Sequence, residues 1–229
     1  MPLVDDRQRM VLAMVLQICG KPRLRGVWHK WACFCSVPLG VALVVVAGSV
    51  RARIAMTVYA VILVALFAVS AFYHRIDWRS HSARSWMRRL DHSMIFMLIA
   101  GTYTPFVVLA LHGPVALAIL VAVWSGALAG VLFKLLWINA PKWLGAATYV
   151  ALGWVAVAAL PQLAVTIGVG GLTLLGLGGV LYTVGAVVYA VRRPDPMPAV
   201  FGYHEVFHAL VIVAAALQYA VIAFWLVPQ

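Results

Sequence analysis

The sequence predicts an all-α polytopic membrane protein of seven transmembrane helices, with its amino end cytoplasmic and its carboxyl end external. Three observations carry that reading. The 229 residues are 65% hydrophobic and only 10% charged, with a mean hydropathy of +1.02, a composition that does not suit a soluble domain. Apolar runs of about 17–25 residues, long enough to cross a hydrocarbon core, recur between short connections bounded by charge, Gly or Pro. The basic residues fall between these runs, concentrated on one side of the bilayer. A net charge of +11 would suggest nucleic acid in a soluble chain. Here it lies on no single face or tail, so it reads as a topology signal and no nucleic-acid partner is expected.

Taken in order, residues 1–28 form a cytoplasmic segment. Arg7 and Arg9 precede the apolar run Met10 to Leu16, which is too short to span. There is no A-x-A-like cleavage site, and bulky Ile18 precedes Cys19, so the run is expected to be retained as a short interfacial helix. Residues 29–229 form the transmembrane domain, with helices expected at 29–50, 54–75, 90–111, 114–136, 142–161, 166–190 and 203–227. The three cysteines, Cys19, Cys33 and Cys35, have no disulfide spacing and read as free thiols. Cys33 and Cys35 point in different directions on a helix and are assigned to packing. Pro105 should bend the third helix. The connection carrying Trp78, Trp86 and Met87 should lie along the headgroups. The glycines of the sixth helix, Gly168 to Gly185, are expected to permit close helix contact, since no strand precedes them as a nucleotide site would require.

Orientation follows from the charges. Six basic residues precede or open the first helix (Arg7, Arg9, Lys21, Arg23, Arg25, Lys30), and five occupy the second connection (Arg75, Arg79, Arg84, Arg88, Arg89). Lys134, Lys142, Arg192 and Arg193 fall on the same side, against only Arg51 and Arg53 on the other. The order of crossings then brings distant residues to one depth. His74 ends the second helix, Asp91 begins the third, and His204 and His208 begin the seventh, all near the cytoplasmic boundary.

Ionisable groups within spans are functional candidates by default. His204 and His208 are four apart and stack on one helical face, as two imidazoles must to meet one ion. With His74 they make three protein ligands, the arrangement of a catalytic zinc site that keeps a position for water. A carboxylate must then orient and deprotonate that water, and Asp91 is placed for this by depth. Ser70, one turn before His74 on the same face, could orient a ligand or the scissile group. The alternative for a membrane histidine is a hydrogen bond to a neighbouring helix, and His29, His81, His92 and His112 are left to that class or to solvent. For Asp91 the alternative is an ion pair with Arg88 or Arg89. His204-Glu205-Val206-Phe207-His208 also reads H-E-x-x-H, so an intramembrane metalloprotease using Glu205 as base stays open.

Several motifs together carry a resemblance. Lys21-Pro22-Arg23-Leu24-Arg25-Gly26 followed by His29, then Ser70-Ala71-Phe72-Tyr73-His74, Leu90-Asp91-His92, Gly101-Thr102-Tyr103-Thr104-Pro105 and Phe201-Gly202-Tyr203-His204-Glu205-Val206-Phe207-His208 resemble the bacterial hemolysin III proteins. These are a branch of the progestin and adipoQ receptor family that includes the adiponectin receptors. The resemblance runs from Lys21 nearly to the carboxyl end. It implies a seven-helix zinc protein with an inward amino terminus, ligands at His74, His204 and His208, and Asp91 and Ser70 beside the metal. Related families are lipid-amide hydrolases, among them alkaline ceramidases.

The expectation is therefore a zinc-dependent hydrolase of lipid amide or ester bonds, acting in membrane lipid homeostasis, with a membrane lipid as substrate or ligand. A receptor or regulator in which zinc only ties helices together is the rival from another class. A pore is not expected, because no polar stripe runs the length of several helices. Composition rich in Ala, Val and Arg suggests a bacterial inner membrane.

Overall fold

The fold is that of a helical membrane protein, with no strand among the described residues, which in this computed structural model are 21–228. The expected interfacial helix at Met10–Leu16 and Cys19 lie outside them. The helices are α1 (Val27–Val46), α2 (Val50–Arg75), α3 (His81–Ala110), α4 (Gly113–Leu136), α5 (Lys142–Gly153), α6 (Leu160–Val191) and α7 (Tyr203–Val221). A 3-10 segment, Trp154–Ala159, joins α5 to α6, and a π turn, Ile222–Leu226, extends α7. Six stretches among the described residues are long and apolar enough to cross a membrane, Lys142–Val191 being one of them.

Hydroxyl caps account for two starts. The Ser49 and Ser80 side chains accept from Ala52 N (3.1 Å) and Ala83 N (3.3 Å), satisfying backbone donors left free at α2 and α3. α3 therefore begins nine residues before the expected 90. Trp86 and Met87, expected in a headgroup-lying connection, belong to its opening turns, because the Ser80 cap lets the helix start before its apolar stretch.

The region expected as helices 142–161 and 166–190 has no loop between them. The chain stays helical for 50 residues and reverses instead at Gly168, whose φ of 60° and ψ of −173° are open to glycine. The Trp154 indole donates to Thr183 Oγ1 at 3.0 Å, whereas a straight helix would hold these residues about 43 Å apart. The 3-10 segment is satisfied from α3. The Tyr103 hydroxyl donates to Gly153 O and accepts from Ala156 N, both at 2.6 Å, supplying partners where the helical ladder changes register.

Helices adjacent in sequence pack together, and α1 packs on α7. α3 is the most enclosed: 56% of its apolar window is buried, against 22% for α4. It touches α2, α4, α5 and α6, so residues on its inward face can meet groups from the whole bundle. Exposed Leu136, Val165 and Val169 are the lipid-facing counterpart, since apolar surface carries no penalty in hydrocarbon.

Candidate metal centre and cavity

His74 closes α2, and His204 and His208 stand one turn apart at the start of α7. All three are buried, and each offers a ligand atom, these atoms lying within 4.8 Å of one another. His74 Nε2 and His204 Nε2 are 3.2 Å apart. Residues 130 positions distant thus meet at one point, and the three can hold one metal ion.

Local structure explains how α7 presents its histidines. Arg23 N and Leu24 N donate to Ala199 O and Val200 O (3.0 and 3.1 Å), tying the segment before α1 to the one before α7. Arg25 then forms an ion pair with Glu205. The other carboxylate oxygen of Glu205 accepts from Gly202 N at 2.9 Å, capping α7. Gly26, with φ of 74°, lies so close to α2 that a Cβ there would come within 2.6 Å of His74 Cβ. Only glycine combines that dihedral with that approach.

Asp91 Oδ2 lies 3.7 Å from His74 Nε2 and 3.5 Å from His92 Nδ1, with Ser70 beside its carboxyl. The alternative of an ion pair with Arg88 or Arg89 is not realised among the described residues. Arg88 donates to Asn139 Oδ1 and Ile138 O, and Arg89 to Leu135 O and Ser85 Oγ. Asp91 is therefore carried to the histidines without a basic partner of its own.

Two residues left from sequence to a hydrogen bond with a neighbouring helix or to solvent also stand here, and His92 does make such a bond, to Tyr189 of α6. His29 is buried, its ring stacked on His208 with centroids 3.8 Å apart and planes 10° from parallel. His92 Nδ1 lies 2.9 Å from Arg88 O, which can only accept, so this nitrogen carries the proton; Nε2 then accepts from the Tyr189 hydroxyl at 3.0 Å. Arg25, given no role in the sequence beyond a topology charge and a place in the first motif of the resemblance, is the counterion of Glu205. None of these contacts has a local signature, although His29 and His92 lie within the motifs that carry the resemblance.

The cluster opens on a cavity of about 410 Å³, a size that suits a small-molecule or lipid site. Ser70, Asp91, His92, His204 and His208 line its polar end. Leu66, Ile99, Phe106, Leu163, Leu172 and Val211 line much of the remainder. Gly176 and Gly179 of α6, expected to serve helix contact, instead face open space in this wall.

A family model described as haemolysin-III related matches residues 18–219. The hemolysin-3 homolog of Bacillus subtilis (strain 168) is 31% identical over 202 residues, covering 87% of this chain and 91% of that one. Hemolysin-3 of Bacillus cereus is 31% identical over 205 residues, covering 87% and 89%. The human monocyte to macrophage differentiation factor is 28% identical over 172 residues, covering 73% and 68%. With a match across most of its length, and apolar spans throughout, the chain belongs to the haemolysin-III-related family, the bacterial branch of the progestin and adipoQ receptor family that its motifs resemble, and is a multi-pass protein of the bacterial inner membrane.

Proposed function

We propose that this protein is a zinc-dependent integral-membrane hydrolase that cleaves the amide or ester bond of an acylated membrane lipid. The observation that supports it most directly is the joining of the His74, His204 and His208 cluster, with Asp91 beside it, to one end of an apolar cavity. Three imidazoles without cysteine fit zinc by donor type. The spacing is compatible as well: the three ligand atoms lie within 4.8 Å of one another, with His74 Nε2 and His204 Nε2 3.2 Å apart, so His74, His204 and His208 would hold one ion. When bound, zinc supplies Lewis acidity toward a carbonyl and makes water a nucleophile near neutral pH.

The chain's own residues do the rest. Asp91 accepts the proton of the attacking water and returns it to the leaving amine or alcohol. Ser70 orients the Asp91 carboxyl or the scissile group. His29 and His92, one stacked on His208 and the other beside Asp91, hold the polar end in shape. The apolar walls take the acyl chain and keep bulk water from it. Glu205 is assigned to structure rather than to a protease mechanism, because one oxygen faces Arg25 and the other caps α7.

The reading includes seven crossings with the amino end cytoplasmic. A helical stretch of 50 residues would extend about 75 Å if straight, more than twice a hydrocarbon core of about 30 Å. Its reversal at Gly168 supports two crossings. The excess of Lys and Arg at the histidine end supports placing that end in the cytoplasm, from which water would reach the metal.

Purified protein incubated with lipid amides and esters tests the proposal, with released fatty acid measured by mass spectrometry. The wild type should release it in a chelator-sensitive reaction, and Asp91→Asn should keep its metal while losing about 10²–10⁴-fold in rate. Intact lipid in the presence of a full metal complement would favour the non-catalytic reading, in which the ion only ties α2 to α7. An Asp91→Asn variant at full rate would remove Asp91 from the mechanism.

A further inference from the structure

Lys134, in the last turn of α4, is the only buried lysine among the described residues, with 4% of its surface exposed. Its ammonium occupies a slot opened by Gly145 of α5, where a Cβ would come within 2.5 Å of Nζ. The rings of Phe133 and Tyr149 flank it, their centroids 4.7 and 5.6 Å from Nζ. Nζ donates to no acceptor among the described residues, yet it is not one of the unpartnered polar atoms sealed from solvent. The ammonium is therefore reachable from outside.

A second cation stands beside it. Arg88 of α3 is near enough for its charge to act on Lys134, and both, with Lys142 of α5, act on His92. The Arg88 guanidinium donates only to neutral acceptors, Asn139 Oδ1 and Ile138 O, in the connection after α4. The described carboxylates are engaged elsewhere: Asp77 with Lys21, Asp91 with His74 and His92, Asp195 with Tyr203 N, and Glu205 with Arg25. A covered cation beside another is costly without an anion, and facing aromatic rings offset only part of that cost. Trp86, Trp137 and Trp143 are exposed and close to these cations in the chain. Tryptophan so placed on a membrane protein marks the level of the lipid headgroups.

We propose that Lys134 and Arg88, where α3, α4 and α5 meet, bind the phosphate of an anionic phospholipid. The lysine supplies a point charge with three donors, and the arginine supplies the N–H groups that Asn139 and Ile138 leave free. Basic pockets between membrane helices suit such headgroups, and the tryptophans favour a lipid phosphate over one free in solution. The site depends neither on the hydrolase reading nor on the metal.

Native mass spectrometry of the full-length, delipidated protein in detergent tests it, with phosphatidylglycerol and phosphatidylcholine of the same acyl chains as probes. A basic residue at a headgroup contributes about fivefold in affinity, so the wild type should prefer phosphatidylglycerol by about 25-fold and Lys134→Met should reduce that preference about fivefold. Lys134→Gln repeats the test should methionine disturb packing, and the wild-type comparison stands without either variant. Arg79→Gln, at an exposed arginine before α3, should keep the full preference. Equal binding of the two lipids to the wild type would overturn the proposal, as would a preference undiminished in both Lys134 variants. A loss as large in Arg79→Gln would overturn it in favour of a general surface attraction. Inorganic phosphate that raises the thermal midpoint of the wild type as much as phosphatidylglycerol does would overturn the lipid in favour of a free anion.

Discussion

The two ends of the cavity are held by different forces. At the histidine end, Arg25 pairs with Glu205, Glu205 caps α7, His92 bridges Arg88 O and Tyr189, and Lys142 donates to the Tyr203 hydroxyl at 2.8 Å. At the other end, Leu111, Ile119 and Leu163 line the wall and the π turn packs Ile222 and Leu226 beneath it, with Gln218 as a polar exception. Lipid tails are as apolar as leucine, so apolar contact gives little specific drive to bring helices together in a bilayer. The polar end therefore sets where the helices sit, and the apolar end sets the shape of the space between them. The proposed hydrolase would need both, since its chemistry demands placed groups and an acyl chain demands none.

Substitutions at each end should break or sharpen this contrast. The largest effect is expected from His204→Ala/His208→Ala. About one metal ion per chain in the detergent-purified wild type, by elemental mass spectrometry, should fall to none, with helicity by circular dichroism retained. A well-folded wild type without metal, even after zinc is added back, would sink the centre and the enzyme reading together. Arg25→Ala should come next. It strands the Glu205 carboxylate, whose side chain is fully buried, and should destabilise by about 3–5 kcal/mol, read as a lower thermal midpoint with weakened metal retention. A midpoint within a degree of wild type would mean that the ion pair does not hold α7. The smallest effect belongs to the apolar end. Ile119→Val should cost only about 0.5–1.5 kcal/mol and leave metal content unchanged; loss of metal there would show that the two ends are coupled.

Much of this was legible before any coordinates. The apolar runs place α1, α2, α4 and α7, the last taken with its π extension to Leu226, to within about four residues at each end, because a membrane span is a local property of some twenty consecutive residues. The helical i, i+4 spacing pairs His204 with His208, and the alternation of crossings brings His74 and Asp91 to the same level. The start of α3 was misplaced because a capping hydroxyl outweighs hydropathy over the polar opening turns. The turn near 161–166 was misplaced because Pro161 and Gln162 are tolerated in the first turn of α6, while the reversal waits for a glycine at positive φ.

By itself, then, the sequence determined the class of protein, the family, the places of most of its apolar helices and the three histidines that meet. These depend on composition and on short periodicities. Only the tertiary structure decided that Arg25 answers Glu205 across 180 positions, that His29 stacks on His208, and that the Gln218 amide nitrogen reaches Leu175 O on α6. Such contacts join residues far apart in the chain, and a buried polar group shows what it requires only once its neighbours are in place.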